Sequence, residues 1–158
     1  MGYREYESRE SLLKEHAAAD RIRQHWRGSV LPAQQYEPYD RILTEPDGTT
    51  AALVEIKVRN YDIQYLIEQR YMISYSKVRS LIHAAKRRQC VPLIMVVCSD
   101  DDFLLDLRDE TGQTIRSVNR INDRHFDDRS GETLWQAEHM VLFSGSRFIP
   151  LFALGGLL

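Results

Sequence analysis

The feature that most constrains this fold is a turn between two stretches of strand-forming residues. The turn spans residues 46–48 and reads Pro-Asp-Gly. In such a turn proline presets φ, aspartate bonds its own backbone, and glycine tolerates positive φ. The flanking residues 36–44 and 51–58 therefore predict the two strands of a β-hairpin.

The second predicted strand carries charge on only one of its faces. Successive side chains of a strand point to opposite sides. One side therefore presents a mostly β-branched apolar row, Ala52, Val54, Ile56 and Val58. The other side presents Glu55 and Lys57 beside Leu53. A hairpin that is symmetric about residues 47–48 places Asp40 directly opposite Glu55.

Asp40 and Glu55 predict a binding site for a hard divalent cation. Directly opposed Cβ atoms lie roughly 4.5–5.5 Å apart, and two carboxylates this close repel each other unless a cation lies between them. Mg²⁺ binds oxygen ligands, typically one or two carboxylates together with waters. Lys57, on the same face as Glu55, can orient or help deprotonate an attacking water, or stabilise charge that develops on a phosphate.

A helix is predicted over residues 8–27, and it adds a third carboxylate. Its buried stripe is spaced alternately three and four residues apart and comprises Leu12, Glu15, Ala19, Ile22 and Trp26. Glu15 is the only charged member of this stripe. If the helix covers the charged face of the hairpin, Glu15 reaches the predicted metal through a bound water; otherwise it is a residue at the boundary of the stripe.

The rest of the chain predicts an α/β architecture in a single domain over residues 1–158. A helix that Ser74 or Ser76 can cap runs to about Arg88, and an apolar run over 92–99 is typical of a strand buried on both faces. Residues 103–107 predict the next strand, and residues 138–152 predict one or two more. Residues 119–133 are polar and without periodicity, which predicts a long loop that is either functional or mobile. This order indicates a sandwich built around a mixed sheet.

These pieces together resemble the PD-(D/E)XK nuclease superfamily. The matching residues are Glu15 in EHAAADRI, Asp40 in EPYDRIL, and Glu55 with Lys57 in VEIKVRN. The resemblance covers about residues 8–99 and implies a restriction-endonuclease-like α/β core, a mixed central β-sheet flanked by helices, with a short first strand near 29–31. One departure is that Tyr39 separates Pro38 from Asp40, so the literal Pro-Asp pair is absent.

The resemblance also implies an activity, that of a small phage-type endonuclease that hydrolyses DNA with Mg²⁺, for which Mn²⁺ substitutes. Asp40, Glu55 and the backbone carbonyl of Ile56 would bind the metal, and Glu15 would support it through a water. Lys57 would assist the hydrolytic water.

The charge distribution indicates where such an enzyme contacts nucleic acid. The net charge is −2, so DNA is bound by a local patch rather than by the protein as a whole. Basic residues outnumber acidic ones between 59 and 88, and four of them are candidates for DNA contact: Arg59, Arg70, Lys77 and Arg79. Residues 86–88 are interpreted as a solvated helix end, favoured by the helix dipole.

Two cysteines without metal spacing favour a reducing compartment, the cytoplasm of a bacterial or phage-infected cell. No stretch is long and apolar enough to span a bilayer, so no membrane partner is expected. The apolar residues 151–158 can belong to the core or to the contact of a homodimer.

Two other functions are compatible with the same residues. The chain can be a non-catalytic nucleic-acid-binding or assembly module of the same fold. It can also be a nuclease that acts on RNA, because the predicted chemistry does not read the 2′-hydroxyl.

Overall fold

The computed structural model describes residues 9–108, 114–121 and 135–158, with side chains over 9–108 and 139–158. Its helices are α1 (Arg9–His25), α2 (Ile63–Gln69), α3 (Tyr75–Arg88) and α4 (Leu154–Leu157). Its strands are β1 (Ser29–Pro32), β2 (Arg41–Thr44), β3 (Thr50–Val58), β4 (Tyr71–Ser74), β5 (Val91–Val97), β6 (Asp102–Asp106), β7 (Thr114–Ile121), β8 (Trp135–Phe143) and β9 (Phe148–Pro150).

Six of the described strands form a mixed sheet with the order β1-β2-β3-β5-β6-β9. β3 and β5 are parallel, and the other neighbours are antiparallel. A parallel pair needs a long crossover connection, and here the connection contains α2, β4 and α3. The predicted α/β class is confirmed: the mixed sheet is flanked by helices in the manner of a restriction endonuclease core.

The predicted hairpin is formed by β2 and β3, with the predicted register. Arg41 pairs with Val54 and Ile42 with Leu53, and an irregularity lies beside the turn, between Leu43 and Thr44. The first strand is shorter than predicted, because residues 36–40 form a loop instead. Tyr36 in this loop has a left-handed φ of 73°, and Pro38 cannot donate a hydrogen bond to a sheet ladder.

A long helix covers each face of this sheet. α1 buries Ala18, Ala19 and Ile22 in a core with the apolar row of β3, Ala52, Val54 and Ile56. α3 buries Val78, Leu81 and Ile82 in a second core with Leu53 of β3 and with Ile94 and Val96 of β5. Because alternate residues of β3 point to opposite faces, Glu55 and Lys57 lie on the side of α3. The condition under which Glu15 was expected to reach the predicted metal, α1 on the charged face of the hairpin, is therefore not met.

The end of α1 is fixed against the hairpin by close backbone contact. The indole N–H of Trp26 donates to the carbonyl oxygen of Thr44 at 2.8 Å. A Cβ atom on Gly28 would lie 1.7 Å from that same oxygen, so only glycine permits the approach. Arg21 in the middle of α1 donates two hydrogen bonds to Asp102 of β6, with its Nη2 at 2.9 Å from Oδ1. Asp102, the first residue of β6, is thus a buried ion-pair partner.

A second, three-stranded sheet has the order β4-β8-β7, and the sequence analysis did not predict it as a unit. Residues 119–121 of the predicted loop over 119–133 belong to β7, and its residues 122–133 lie outside the described part of the chain. At the carboxyl end, Leu151 and Leu154 join the core beneath α1, whereas Phe152 is exposed. No helix among the described residues is both long and apolar enough to cross a membrane.

Candidate active site

Two hydrogen bonds hold Asp40 against the edge of β3 that pairs with β2. Its backbone N–H donates to the carbonyl oxygen of Val54 at 2.8 Å, and its Oδ2 accepts from the N–H of Ile56 at 2.7 Å. β2 begins only at Arg41, so the carboxylate of Asp40 takes the place that the next strand residue would occupy. The side chain is therefore held where β3 emerges from the hairpin.

Glu55 and Lys57 form an ion pair on the adjacent stretch of β3. The Nζ of Lys57 lies 3.0 Å from the Oε1 of Glu55, and the two side chains are 18% and 20% exposed. They stand two residues apart on one strand, which gives them the same face. The pair is partly shielded from water but reachable from one side.

Asp40, Glu55 and Lys57 open into one cavity of about 400 Å³, here called the hairpin cavity. One wall is the loop over residues 34–39. The opposite wall comes from α3 and the strands beneath it. The members of that wall are Ile73, Ser76, Lys77, Ser80, Leu81 and Ile94.

The electrostatics of the hairpin cavity favour a bound cation. Burial, and then the negative charge of Asp40, raise the pKa of Glu55 to about 7, against the opposing attraction of Lys57 and Lys77. The raised pKa means that the ionised form of Glu55 is destabilised in the cavity. A divalent cation bound beside the carboxylate would remove this destabilisation. The described residues contain no group of three or more His, Cys, Asp or Glu side chains that could hold a metal, but two carboxylates with waters suffice for Mg²⁺.

This raised pKa predicts how the stability of the metal-free protein depends on pH. In the unfolded chain Glu55 has its ordinary pKa of 4.5, and in the folded chain it is about 7. Between these values the folded state binds more protons, so stability falls as the pH rises. The contribution of Glu55 is fully present below the lower pKa and is lost as the pH rises through the higher one. Replacing Glu55 with glutamine is expected to remove this loss.

The measurement is chemical denaturation in EDTA across this pH window, with wild type and Glu55→Gln in parallel. We expect the two proteins to converge at low pH and the variant to be the more stable above neutrality. Parallel stability profiles for the two proteins would contradict the electrostatic picture of the cavity.

Comparison with protein families decides the assignment. A family model described as "Phage putative PDDEXK endonuclease" matches residues 2–151. The chain belongs to this endonuclease family. Comparison with curated proteins and with solved structures gave no match.

In this member of the family, Glu15 stands apart from the other three predicted site residues. It is buried on α1, on the opposite face of the sheet, and its Oε1 accepts from the Nη1 of Arg41 at 3.1 Å. The same Nη1 donates to the backbone carbonyl of Asp40 at 2.8 Å. Glu15 does not line the hairpin cavity. Its contact with the site passes through Arg41 and the backbone of Asp40.

The four basic residues predicted to contact DNA are placed differently from one another. Lys77 is exposed and lines the hairpin cavity. Arg59 is half-buried, and its guanidinium lies over the ring of Tyr71, 5.6 Å from the centroid. Arg70 ends α2 with a left-handed φ, and neither Arg70 nor Arg79 lines the cavity. The structure therefore brings Lys77 alone of the four to the hairpin cavity.

Several residues of the cavity escaped the sequence analysis. The sequence analysis gave residues 34–35 no role and placed Tyr36 at the start of the first hairpin strand. It considered Ser76 only as a helix cap and did not consider Ser80. Tyr36 is 68% exposed at the rim and has a left-handed backbone, which is uncommon for a residue other than glycine. The one sequence signal for this loop was Pro38, because proline argues against a regular strand before Asp40.

Proposed function

We propose that this PDDEXK endonuclease hydrolyses phosphodiester bonds of DNA and depends on Mg²⁺, with Mn²⁺ as a substitute. The observation that carries the proposal is the meeting of Asp40, Glu55 and Lys57 in the hairpin cavity. Two carboxylates and an ammonium at an open cavity are the groups that metal-assisted phosphoryl hydrolysis needs.

Asp40 and Glu55 are the residues that would hold the metal. The N–H of Ile56 faces the carboxylate of Asp40, and a strand residue in an antiparallel pair directs its N–H and carbonyl to the same neighbour. The carbonyl of Ile56 is therefore a candidate third protein ligand, as the sequence analysis expected. When bound, the metal supplies Lewis acidity toward the phosphate and lowers the pKa of a bound water.

Lys57 is the residue that would act on the attacking water. Its Nζ already sits at hydrogen-bond distance from Glu55, so it is positioned beside any water bound near that carboxylate. In the hydrolysis the water oxygen bonds to phosphorus, the bond from phosphorus to one ester oxygen breaks, and the departing oxygen gains a proton. Lys57 would orient the water and stabilise the added negative charge on the phosphate.

Replacing Asp40 with asparagine is the direct test of this function. The amide oxygen of asparagine can still accept from the N–H of Ile56, so the local fold is expected to persist, whereas the negative charge is lost. We expect loss of cleavage of supercoiled, linear, single-stranded and branched DNA in Mg²⁺ or Mn²⁺, and no cleavage by wild type in EDTA. Asp20→Asn, the same change on exposed α1, serves as the matched control and should cleave like wild type.

The outcome also separates the competing functions. Metal-dependent cleavage of RNA but not DNA would make the chain a ribonuclease. A folded protein that binds DNA or RNA but cleaves neither in any metal would be a binding or assembly module. If Asp40→Asn still cleaves, the proposed site is wrong.

A further inference from the structure

We propose that a second groove, continuous with the hairpin cavity, binds the sugar-phosphate backbone of the substrate strand beyond the cleavage point. This groove, here called the arginine groove, has a volume of about 270 Å³ and is lined by Glu37, Tyr39, Ala84, Arg87 and Arg88. The proposal rests on the proposed function, since it extends the same nucleic-acid strand away from the same site.

The two depressions are connected by shared residues. Glu37 and Tyr39 line both the hairpin cavity and the arginine groove. On the other side, α3 borders both: Ser76, Lys77 and Ser80 line the first, and Ala84 with the two arginines lines the second. A strand that leaves the hairpin cavity along α3 therefore reaches Arg87 and Arg88 next.

The residues of α3 that line the two depressions lie on one continuous face of the helix. Positions 76, 80, 84 and 87 recur at intervals of four, four and three, which is the period of a helical face. From Lys77 to Arg88 the helix rises about 16 Å at 1.5 Å per residue. That length corresponds to roughly five nucleotides of one B-DNA strand, which rises 3.4 Å per nucleotide. Ala84 in the middle has a small side chain that leaves the groove open.

Arg87 and Arg88 have the chemistry and the exposure to contact phosphates. Both are exposed at the end of α3, and guanidinium groups bind phosphate with two parallel hydrogen bonds. Arg88 is oriented by an aromatic surface: its guanidinium lies 5.6 Å from the ring centroid of Tyr39, a residue that is only 3% exposed. A cation held over a buried ring is more ordered than a freely solvated helix end.

The charge of the groove favours an anionic occupant over a cationic or an apolar one. Among the described residues that line the groove, only Glu37 is acidic. Arg87 and Arg88 are its basic lining residues, and in the hairpin cavity Lys57 and Lys77 lie beside the carboxylates of Asp40 and Glu55. Residues 86–88 were interpreted from the sequence as a solvated helix end, and they are exposed at the end of α3; the proposal adds a phosphate partner for Arg87 and Arg88.

The test compares a groove variant with a control of equal charge. The variant is Arg87→Gln/Arg88→Gln, and the control is Arg23→Gln/Lys86→Gln. Both control positions are exposed, Arg23 lies on α1 across the sheet, and Lys86 lies on α3 but does not line the arginine groove. Binding of a fluorescent DNA strand or duplex is measured in EDTA over a range of salt concentrations, and cleavage kinetics are measured in Mg²⁺.

A plot of log affinity against log salt concentration has a negative slope. We expect the groove variant to make this slope shallower by about 1.4–1.8, which corresponds to the loss of two phosphate contacts. In cleavage it should raise KM and leave kcat unchanged, because a contact far from the reacting phosphate contributes uniform binding. The control should keep the wild-type slope and KM.

The outcomes distinguish the groove from the catalytic function. If wild type cleaves DNA and the groove variant behaves like the control, the groove proposal is wrong and the proposed nuclease function is retained. Binding that depends on the two arginines in a protein that never cleaves would support the groove and overturn the hydrolysis. Wild type that binds no nucleic acid would overturn the groove directly.

Discussion

Replacement of Lys57 with alanine is expected to lower the rate of DNA cleavage by about 10²–10⁴-fold, the usual contribution of a residue that acts on the reacting proton or water. The ammonium of Lys57 lies 3.0 Å from Glu55 at the proposed metal site, and alanine leaves nothing in its place. Folding should be preserved, because the side chain is not part of either apolar core. Single-turnover cleavage at saturating metal measures the effect.

Lys57 also lowers the pKa of Glu55. In Lys57→Ala a larger fraction of Glu55 is therefore protonated near neutral pH, and the variant binds the metal more weakly. For this reason the measurement needs saturating metal. Lys57→Arg separates the two possible roles of the ammonium. Arginine keeps the charge but is a poor proton donor or acceptor at neutral pH, so substantial activity in this variant would favour charge stabilisation. Lys14→Ala on exposed α1 is the matched control. Wild-type rates in Lys57→Ala would rule out the proposed mechanism.

Replacement of Arg41 with methionine is expected to destabilise the fold by about 3–5 kcal/mol, because it leaves the carboxylate of Glu15 buried without its cation. The side chains of Arg41 and Glu15 are only 5% and 9% exposed. The double variant Glu15→Met/Arg41→Met should recover most of this loss, since apolar pairs often replace buried ion pairs at little cost. Denaturant unfolding of the three proteins measures the effect.

The same double variant tests whether Glu15 takes part in catalysis. Glu15 lies on the α1 side of the sheet and does not line the hairpin cavity, so we expect a stable double variant that still cleaves DNA within about tenfold of wild type, a loss of 1.4 kcal/mol or less. A stable but inactive double variant would show instead that the Glu15–Arg41 pair positions Asp40 through its backbone carbonyl.

Local pattern was sufficient to predict the hairpin and the residues on its charged face. The turn chemistry and the two-residue period of β3 are properties of neighbouring residues, so the observed pairing of Ile42 with Leu53 could be predicted without the rest of the protein. Glu55 and Lys57 share a face for the same reason. The long helices were predicted because each carries an apolar stripe of helical period.

The sequence by itself therefore determined the two long helices, the hairpin register and the shared face of Glu55 and Lys57. Only the tertiary structure decided which face of β3 each helix covers. A helical stripe shows that Glu15 is buried but not against which surface, and α1 settled on Ala52, Val54 and Ile56 because burial of that apolar row is more favourable than burial of charge. The arginine groove likewise depends on contact between α3 and a distant loop, which no local pattern encodes.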